Sequence, residues 1–145
     1  MWYNRSMNTH IMRIYVAGPM RGIPEFNFPA FAEGSAQLRA LGHEVFSPAE
    51  RDIQKHGKDV SASATGDLAD IAHTGFSLRD ALGADTAWIC EKADAVALLP
   101  GWENSSGAKA EAALGKALGI RVDLIETFIG KKHDKSRLTK RSGSS

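Results

Sequence analysis

Short apolar runs that end near glycine or proline recur along the chain, and they predict four β-strands. The predicted strands span residues 11–18, 44–46, 93–100 and 121–125. The third run is apolar in almost every position, which is typical of a parallel strand that is buried on both faces. Gly18 and Pro100 end the first and third runs, so loops begin at these two residues.

Helical periodicity predicts helices between these strands. The helix that follows the first strand has one face made of Phe28, Phe31, Ala32, Ser35 and Leu38. Asn27 is a candidate N-cap for this helix, and Gly42 is a candidate stop. Two further helices are predicted over residues 79–92 and 107–119.

Residues 49–77 show no sustained period, because glycines and serines interrupt it. A long irregular stretch in a small domain is typical of a segment that covers a substrate. We therefore expect a functional loop or lid here, with one short helix at most.

The alternation of strands and helices predicts an α/β fold with an open parallel sheet, flavodoxin-like or Rossmann-like, of four to five strands flanked by helices. Ligands of such sheets bind at the carboxyl ends of the strands. The predicted domain covers residues 12–128, after an N-terminal extension at 1–11 and before a basic tail at 129–145.

The composition favours a folded cytoplasmic protein. The chain has 145 residues, 43% of them hydrophobic and 24% charged, which suits one ordinary domain. No apolar run reaches the roughly 18 to 20 residues that a membrane span needs, and the first residues lack a secretory signal. Cys90 is the single cysteine, so an internal disulfide and a cysteine-pair zinc site are excluded. We expect no metal site and no membrane partner.

The basic charge is concentrated at the C-terminus, where residues 131–145 hold six Lys/Arg and one Asp. Such a composition predicts a disordered tail. A solubilising or appended tail is compatible with it, and so is an arm that binds nucleic acid or a membrane surface. Because the rest of the chain is mildly acidic, we expect no nucleic-acid partner for the domain itself.

Two carboxylates fall on the apolar faces of predicted helices. At 100° per residue, Glu111 points between Leu114 and Leu118, toward the sheet. Asp85 lies in the stripe that contains Leu82. An ionised carboxylate is unfavourable there unless something uses or satisfies it. Each acid alone is compatible with the rim of a helix face, but two such acids near neighbouring strand ends favour an acid pair.

Two loops have the composition of an anion site. Ser105, Ser106 and Gly107 follow the third strand and open a helix, where free backbone N–H groups and the helix dipole favour phosphate or carboxylate. Plain N-capping by Ser105 or Ser106 is the alternative. The first loop adds the glycines at both ends of 18–22 and the cation Arg21. This loop is neither a dinucleotide fingerprint nor a P-loop.

Three ordered segments resemble the nucleoside 2-deoxyribosyltransferase-like superfamily. They are residues 14–22, residues 85–96 and residues 105–111. Within the superfamily, residues 99–108 followed by Glu111 are similar to a branch common in phages and bacteria. The resemblance covers about residues 12–125 and leaves 49–77 unmatched in detail.

The resemblance implies catalytic roles for three residues. It places Glu111 at the nucleophile that attacks the anomeric carbon, and Asp85 at the acid that assists the departing base. It places Tyr15 at a tyrosine that orients the nucleophile. No metal or organic cofactor is implied.

The resemblance also implies a substrate. Ser105 and Arg21 match positions that hold the 5′-phosphate in nucleoside 5′-monophosphate N-glycosidases, with Gly18, Gly22, Ser106 and Gly107 around them. Pro19 departs from that group, which has a serine there. We therefore expect a hydrolase of (deoxy)nucleoside 5′-monophosphates. A deoxyribosyltransferase that exchanges bases and a nucleotide-binding module without turnover are the alternatives.

Two further expectations concern aromatic residues. Trp102 is placed to stack on a base or to pack in the core, and its position in a loop is compatible with both. The superfamily implies a homodimer or larger oligomer. Phe26, Phe28 and Trp102 lie on or beside loops, where several exposed aromatics favour an interface.

Overall fold

The predicted strands form one parallel sheet in the computed structural model, which describes residues 11–130. The strands are β1 (Arg13–Ala17), β2 (Glu44–Phe46), β3 (Ala95–Leu98) and β4 (Arg121–Leu124). Their spatial order is β2-β1-β3-β4. The predicted open α/β fold is confirmed, with four strands in the described part of the chain.

Five α-helices flank the described sheet: α1 (Phe28–Ala40), α2 (Pro48–His56), α3 (Leu78–Glu91), α4 (Ser106–Leu118) and α5 (Ile125–Ile129). The predictions for α3 and α4 are correct to within one residue at each end. Helix α5 was not predicted, because its five residues are too few to establish a helical period.

Segment 49–77 contains the one short α-helix that was expected there, and the rest of it is more regular than expected. It contains α2 and two 3₁₀ turns, Lys58–Ser61 and Leu68–Thr74. Helix α2 begins with a serine cap, because the Ser47 hydroxyl accepts a hydrogen bond from the Glu50 N–H. The glutamate lies three positions after the serine, as in a capping box, and this spacing predicts the start of α2.

The alternation along β1 divides the core into two layers. Ile14 and Val16 face the layer that contains Phe31 of α1 and Ile125 of α5. The intervening Tyr15 and Ala17 face the layer formed by α3 and α4. These four of the five β1 side chains are completely buried. Successive side chains of a strand point to opposite faces, so β1 directs Tyr15 toward the two helices that carry the candidate acids.

Asn27 occupies the N-cap position of α1, as predicted, but its side chain does not cap the helix. Asn27 has a φ of 64° and makes no capping hydrogen bond. It follows Glu25 and Phe26, which are also left-handed, so this turn is strained. The Asn27 amide Nδ2 instead donates to the Pro19 carbonyl at 3.0 Å. The turn is thereby attached to the loop that follows β1.

Two expectations about apolar residues need correction. Phe26 and Phe28 are buried within this same chain, so they provide no argument for an interface between copies. Leu118, expected on the buried face of α4, is 43% exposed because it occupies the last residue of that helix.

The described residues contain no helix that is long and apolar enough to cross a membrane. The predicted N-terminal extension and basic tail lie outside the described residues, apart from Ile11, Ile129 and Gly130.

Candidate active site

A cavity of about 710 Å³ opens at the carboxyl ends of β1 and β3. The chain leaves β1 toward β2 on one side, and β3 lies on the other side, so the strand order reverses here. Ligands of open α/β sheets bind at such a switch point. Loop 18–23 and loop 100–107 line the cavity from the two strands.

Tyr15 and Glu111 form a buried hydrogen bond on the cavity wall. The Tyr15 hydroxyl donates to Glu111 Oε2 at 2.8 Å. Burial raises the pKa of Tyr15 well above its ordinary value, and the negative charge of Glu111 adds to the rise. Tyr15 therefore remains protonated and acts as a donor.

The Glu111 side chain is 6% exposed and lines the cavity. Burial raises the pKa of its carboxyl to about 8, although the hydrogen bond from Tyr15 opposes the rise. The nearby Asp85 raises this pKa further. A positive charge brought to the cavity would lower the pKa of Glu111, because it stabilises the ionised carboxylate.

Asp85 of α3 is the second acid that the structure brings to the cavity, again with 6% of its surface exposed. Its Oδ1 is buried and has no hydrogen-bond partner among the described residues. Burial raises the pKa of Asp85 to about 7, and the charge of Asp52 adds to this rise. Arg51 and the Tyr15 hydroxyl lower it. A buried carboxyl in these surroundings retains its proton more readily than an exposed one.

Asp52 is a third cavity acid, and the sequence interpretation missed it. It lies on α2, is 4% exposed and receives a 3.3 Å contact from Arg51 Nη1 to its Oδ1. Burial raises the pKa of Asp52 to about 6, while Arg51 and His56 lower it. Recognition of α2 from its capping box would have placed Asp52 beside the end of β2.

The N-terminus of α4 contributes the serine loop to the cavity. Ser105, Ser106 and Gly107 all line it. Ser105 is also the N-cap, because its hydroxyl accepts from the Ala108 N–H at 3.1 Å. The first N–H groups of a helix have no intrahelical acceptor, so this end of the cavity supplies donors for an anion.

The first loop provides a close backbone approach and a cation. A Cβ on Gly18 would lie 2.8 Å from the Leu99 Cβ, so this position requires glycine. Gly22 has a φ of 84°, and its N–H donates to the Gly66 carbonyl at 2.9 Å. Arg21 lines the cavity, is exposed, and forms no ion pair within residues 11–130.

Trp102 lies outside the cavity lining. It packs against the core layer that contains Tyr15 and Ala17, with its indole Nε1 buried and without a hydrogen-bond partner among the described residues. The sequence left two roles open for Trp102, stacking on a base or packing in the core. The position of Trp102 in the structure agrees with packing.

Residues 12–124 match the family described as domain of unknown function DUF4406. The chain belongs to this family. Comparison with curated proteins finds no match.

The DUF4406 domain brings nine of its ten sequence-predicted site residues to one cavity, and these nine are Tyr15, Gly18, Arg21, Gly22, Asp85, Ser105, Ser106, Gly107 and Glu111. They come from distant parts of the sequence and converge through the β1–β3 pairing, in which Tyr15 is opposite Val96. Trp102 is the exception. Within residues 11–130, no group of three or more His, Cys, Asp or Glu side chains is arranged to hold a metal ion.

The cavity has two chemically different ends. Backbone donors and Arg21 lie at the loop end, whereas the three acids line the walls formed by the helices. Apolar side chains complete the enclosure, among them Val60, Ile71 and Phe76. This arrangement suits a ligand with an anionic group at one end and a planar apolar body at the other.

Proposed function

We propose that this chain is an N-glycosidase that hydrolyses the base–sugar bond of a (deoxy)nucleoside 5′-monophosphate through Glu111. The observation that carries the proposal is the buried Tyr15–Glu111 hydrogen bond beside Asp85, in a cavity whose other end supplies anion donors. The reaction requires neither a metal nor an organic cofactor. The proposal includes membership of the nucleoside 2-deoxyribosyltransferase-like superfamily, which the segments around these residues resemble.

In the first step, Glu111 attacks the anomeric carbon while the glycosidic C–N bond breaks. The bonding electrons pass to the base nitrogen, and Asp85 donates its proton to the base. Glu111 is then bonded to the sugar, and Asp85 is ionised. The Tyr15 hydroxyl holds Oε2 of Glu111 in place throughout.

In the second step, water attacks the same carbon and Asp85 takes the proton from the water. Glu111 leaves as a carboxylate, and Asp85 is protonated again. The products are the free base and the sugar 5-phosphate, and both acids return to their starting states.

Without substrate the pKa of Glu111, about 8, lies above that of Asp85, about 7, so the first step requires the bound substrate to reverse this order. Tyr15 donates to Glu111 and so stabilises its carboxylate, and the positive charge that develops on the sugar stabilises it further. Asp85 has a buried oxygen without a partner and lies close to the charge of Asp52, so it favours the protonated form. A proton on Asp85 and a charge on Glu111 is the distribution that the first step needs.

Phosphate recognition is assigned to the loop end of the cavity. Arg21 supplies a cation with planar donors, and the N-terminus of α4 supplies Ser105 and free backbone N–H groups. We also expect a homo-oligomer, as the resemblance implies, and light scattering measures it directly.

Deoxyribosyl transfer between bases is the second candidate. Pro19 favours it, because the imino residue has neither the hydroxyl nor the N–H that the phosphate-binding pattern places there. Such a transferase would pass the sugar from Glu111 to a second base instead of water.

The decisive experiment incubates the protein with a panel of nucleosides and 5′-monophosphates, with and without an added base, and separates the products by chromatography. Hydrolysis of monophosphates supports the proposal, and base exchange on free nucleosides supports the transferase. Binding without products supports a nucleotide-binding module.

Glu111→Gln tests the catalytic assignment in the same assay. The amide is close in size to the carboxyl and can still accept from Tyr15, so the fold is retained, but the nucleophile is lost. Glu33→Gln is the matched control, because Glu33 is an exposed glutamate on α1. Normal turnover in Glu111→Gln would overturn the assignment.

A further inference from the structure

Asp52 has no role in the reaction described above, and yet its carboxyl lines the same cavity as Asp85. The two acids lie on α2 and α3, which pack against each other, and each is more than nine-tenths buried. Burial of two carboxyls this close is unfavourable unless they share protons or bind a ligand.

Each of these two carboxyls has an oxygen that no described residue satisfies. Oδ1 of Asp85 is buried without a hydrogen-bond partner. Arg51 contacts Oδ1 of Asp52, and within residues 11–130 no donor reaches its Oδ2. The buried Oδ1 of Asp85, which has no partner among the described residues, is therefore a candidate for contact with a ligand.

The groups around the pair favour different protonation states for its members. Arg51 contacts Asp52 directly, and His56 lies on the same helix, so positive charge favours the Asp52 carboxylate. Asp85 faces Asp52, Tyr15 and Glu111, and the charge of Asp52 favours its neutral form. The cavity wall then presents one donor, on Asp85, next to one acceptor, on Asp52.

A donor beside an acceptor complements only some bases. Adenine has the ring acceptor N7 beside its amino group, whereas guanine has two acceptors, N7 and O6, on that edge. Cytosine likewise has an amino group beside a ring nitrogen, and uracil and thymine have a carbonyl oxygen in place of the amino group. A carbonyl oxygen facing the Asp52 carboxylate would bring two acceptors together without a proton between them.

We propose that Asp52 is the residue that selects the base, and that it accepts a hydrogen bond from the amino group of adenine or cytosine while Asp85 donates to the adjacent ring nitrogen. This inference rests on the proposed function, because it assigns the contacts of the leaving base in that same site. It makes amino-bearing bases the preferred class over their oxo counterparts.

The test compares kcat/KM for matched pairs of 5′-monophosphates in which an oxo group replaces the amino group and the adjacent N1 or N3 gains a proton: deoxyadenosine against deoxyinosine, and deoxycytidine against deoxyuridine. The expected preference for the amino member is about tenfold or more, since sites built to hydrogen-bond a group discriminate strongly against analogues that lack it. Equal values for both members of each pair that is cleaved would overturn the inference while leaving the hydrolase proposal intact.

Asp52→Asn supplies the sharper test. Its amide can donate to a carbonyl oxygen, so the preference should collapse or reverse toward the oxo member. Asp59→Asn is the control, because Asp59 is exposed and outside the cavity lining. An unchanged preference in a folded Asp52→Asn variant would exclude Asp52 as the selecting residue. If that variant fails to fold, Asp52→Glu is the second test, because it retains the charge on a longer side chain. It should weaken the cleavage of monophosphates of adenine and cytosine without improving the cleavage of their oxo counterparts. Full retention of the wild-type preference in Asp52→Glu would also exclude Asp52.

Binding measurements separate the two proposals. Calorimetry with Glu111→Gln gives the affinity for deoxyadenosine and deoxyinosine monophosphates without turnover. Selective binding of the amino member, together with an inactive wild-type protein, would refute the hydrolase proposal and support base selection. Equal binding of both members together with an inactive wild type would refute both.

Discussion

The hydroxyl of Tyr15 donates a 2.8 Å hydrogen bond to Glu111 across 96 positions of the chain. Tyr15 lies in the central strand β1, where it is completely buried, and Glu111 lies on α4 above the same face of the sheet. Neither group can reach bulk water easily, so each determines the electrostatic environment of the other.

Tyr15→Phe should lower kcat/KM by about 10- to 100-fold, because hydrogen bonds to charged groups contribute roughly 1.5–3 kcal/mol. The hydrogen bond lowers the pKa of Glu111, so its removal leaves less carboxylate at neutral pH. The pH of maximal activity should therefore move upward, which a pH–rate profile measures. Phenylalanine retains the ring that stacks on Phe46 at 5.6 Å, so a purely structural defect would lower activity without moving the profile.

Asp85→Asn should lower kcat by roughly 10²- to 10⁴-fold for ordinary bases, as is typical for loss of a general acid. A purine methylated at N7 is already cationic and needs no proton to leave, so the loss with that substrate should be only a few-fold. Asp80→Asn on the exposed side of the same helix is the control. Equal losses for both classes of leaving group would make Asp85 a structural acid.

Arg21→Ala should remove most of the preference for monophosphates over free nucleosides, at about 10- to 100-fold in kcat/KM. Arg21 is exposed and without an ion pair among the described residues, so its removal should leave the melting temperature nearly unchanged. Kinetics on each nucleoside and its monophosphate measure the preference. A preference that survives intact would place the phosphate elsewhere.

Ser105→Ala should have two separable effects. Loss of the cap should lower the free energy of unfolding by about 1 kcal/mol, and loss of one donor should weaken monophosphate binding modestly. Ser77→Ala is a matched control, because Ser77 caps α3 by the same type of bond, to the Asp80 N–H at 3.2 Å. If both variants change the KM for monophosphates equally, the serine acts through helix stability alone.

The buried acids should make stability depend on pH. Burial raises the pKa of Glu111 from 4.5 to about 8, so between these values the folded state holds a proton that the unfolded state releases. Unfolding is then favoured progressively as the pH rises through this window. Glu111→Gln removes this effect. The melting temperature of this variant, relative to that of the wild type, should therefore rise by several degrees between pH 5 and pH 8. A constant difference over that range would contradict the raised pKa.

The sheet and most of the site could be predicted because the signals for them lie in short stretches of the sequence. Gly18 and Pro100 mark where β1 and β3 end, and parallel strands bring such ends to one edge. Helical projection alone directed Asp85 and Glu111 inward. The pairing of Glu111 with Tyr15, however, depends on the register of β1 with β3, which no local pattern contains.

The parts that the sequence did not predict have separate physical causes. Helix α2 spans only nine mostly polar residues, which are too few to establish a helical period from the sequence, and Asp52 was missed with it. Trp102 faces the core because of how the loop after β3 folds, which its neighbours in sequence do not determine. Leu118 lies at a helix end, where a projection over the whole helix overestimates burial.

Gly66 connects loop 18–23 to the segment that follows α2 through backbone hydrogen bonds. Its carbonyl accepts from the Gly22 N–H at 2.9 Å, and the neighbouring Ser63 carbonyl accepts from the Glu25 N–H at 2.7 Å. Gly66 has a φ of 79°, and a Cβ there would overlap the backbone of Ile23. The two backbone segments around Gly66 and Ile23 are therefore in direct contact, with no side chain between them. The loop that carries Arg21 and the segment that supplies Val60 and Ile71 are therefore joined through their backbones, and displacement of one by a ligand pulls on the other.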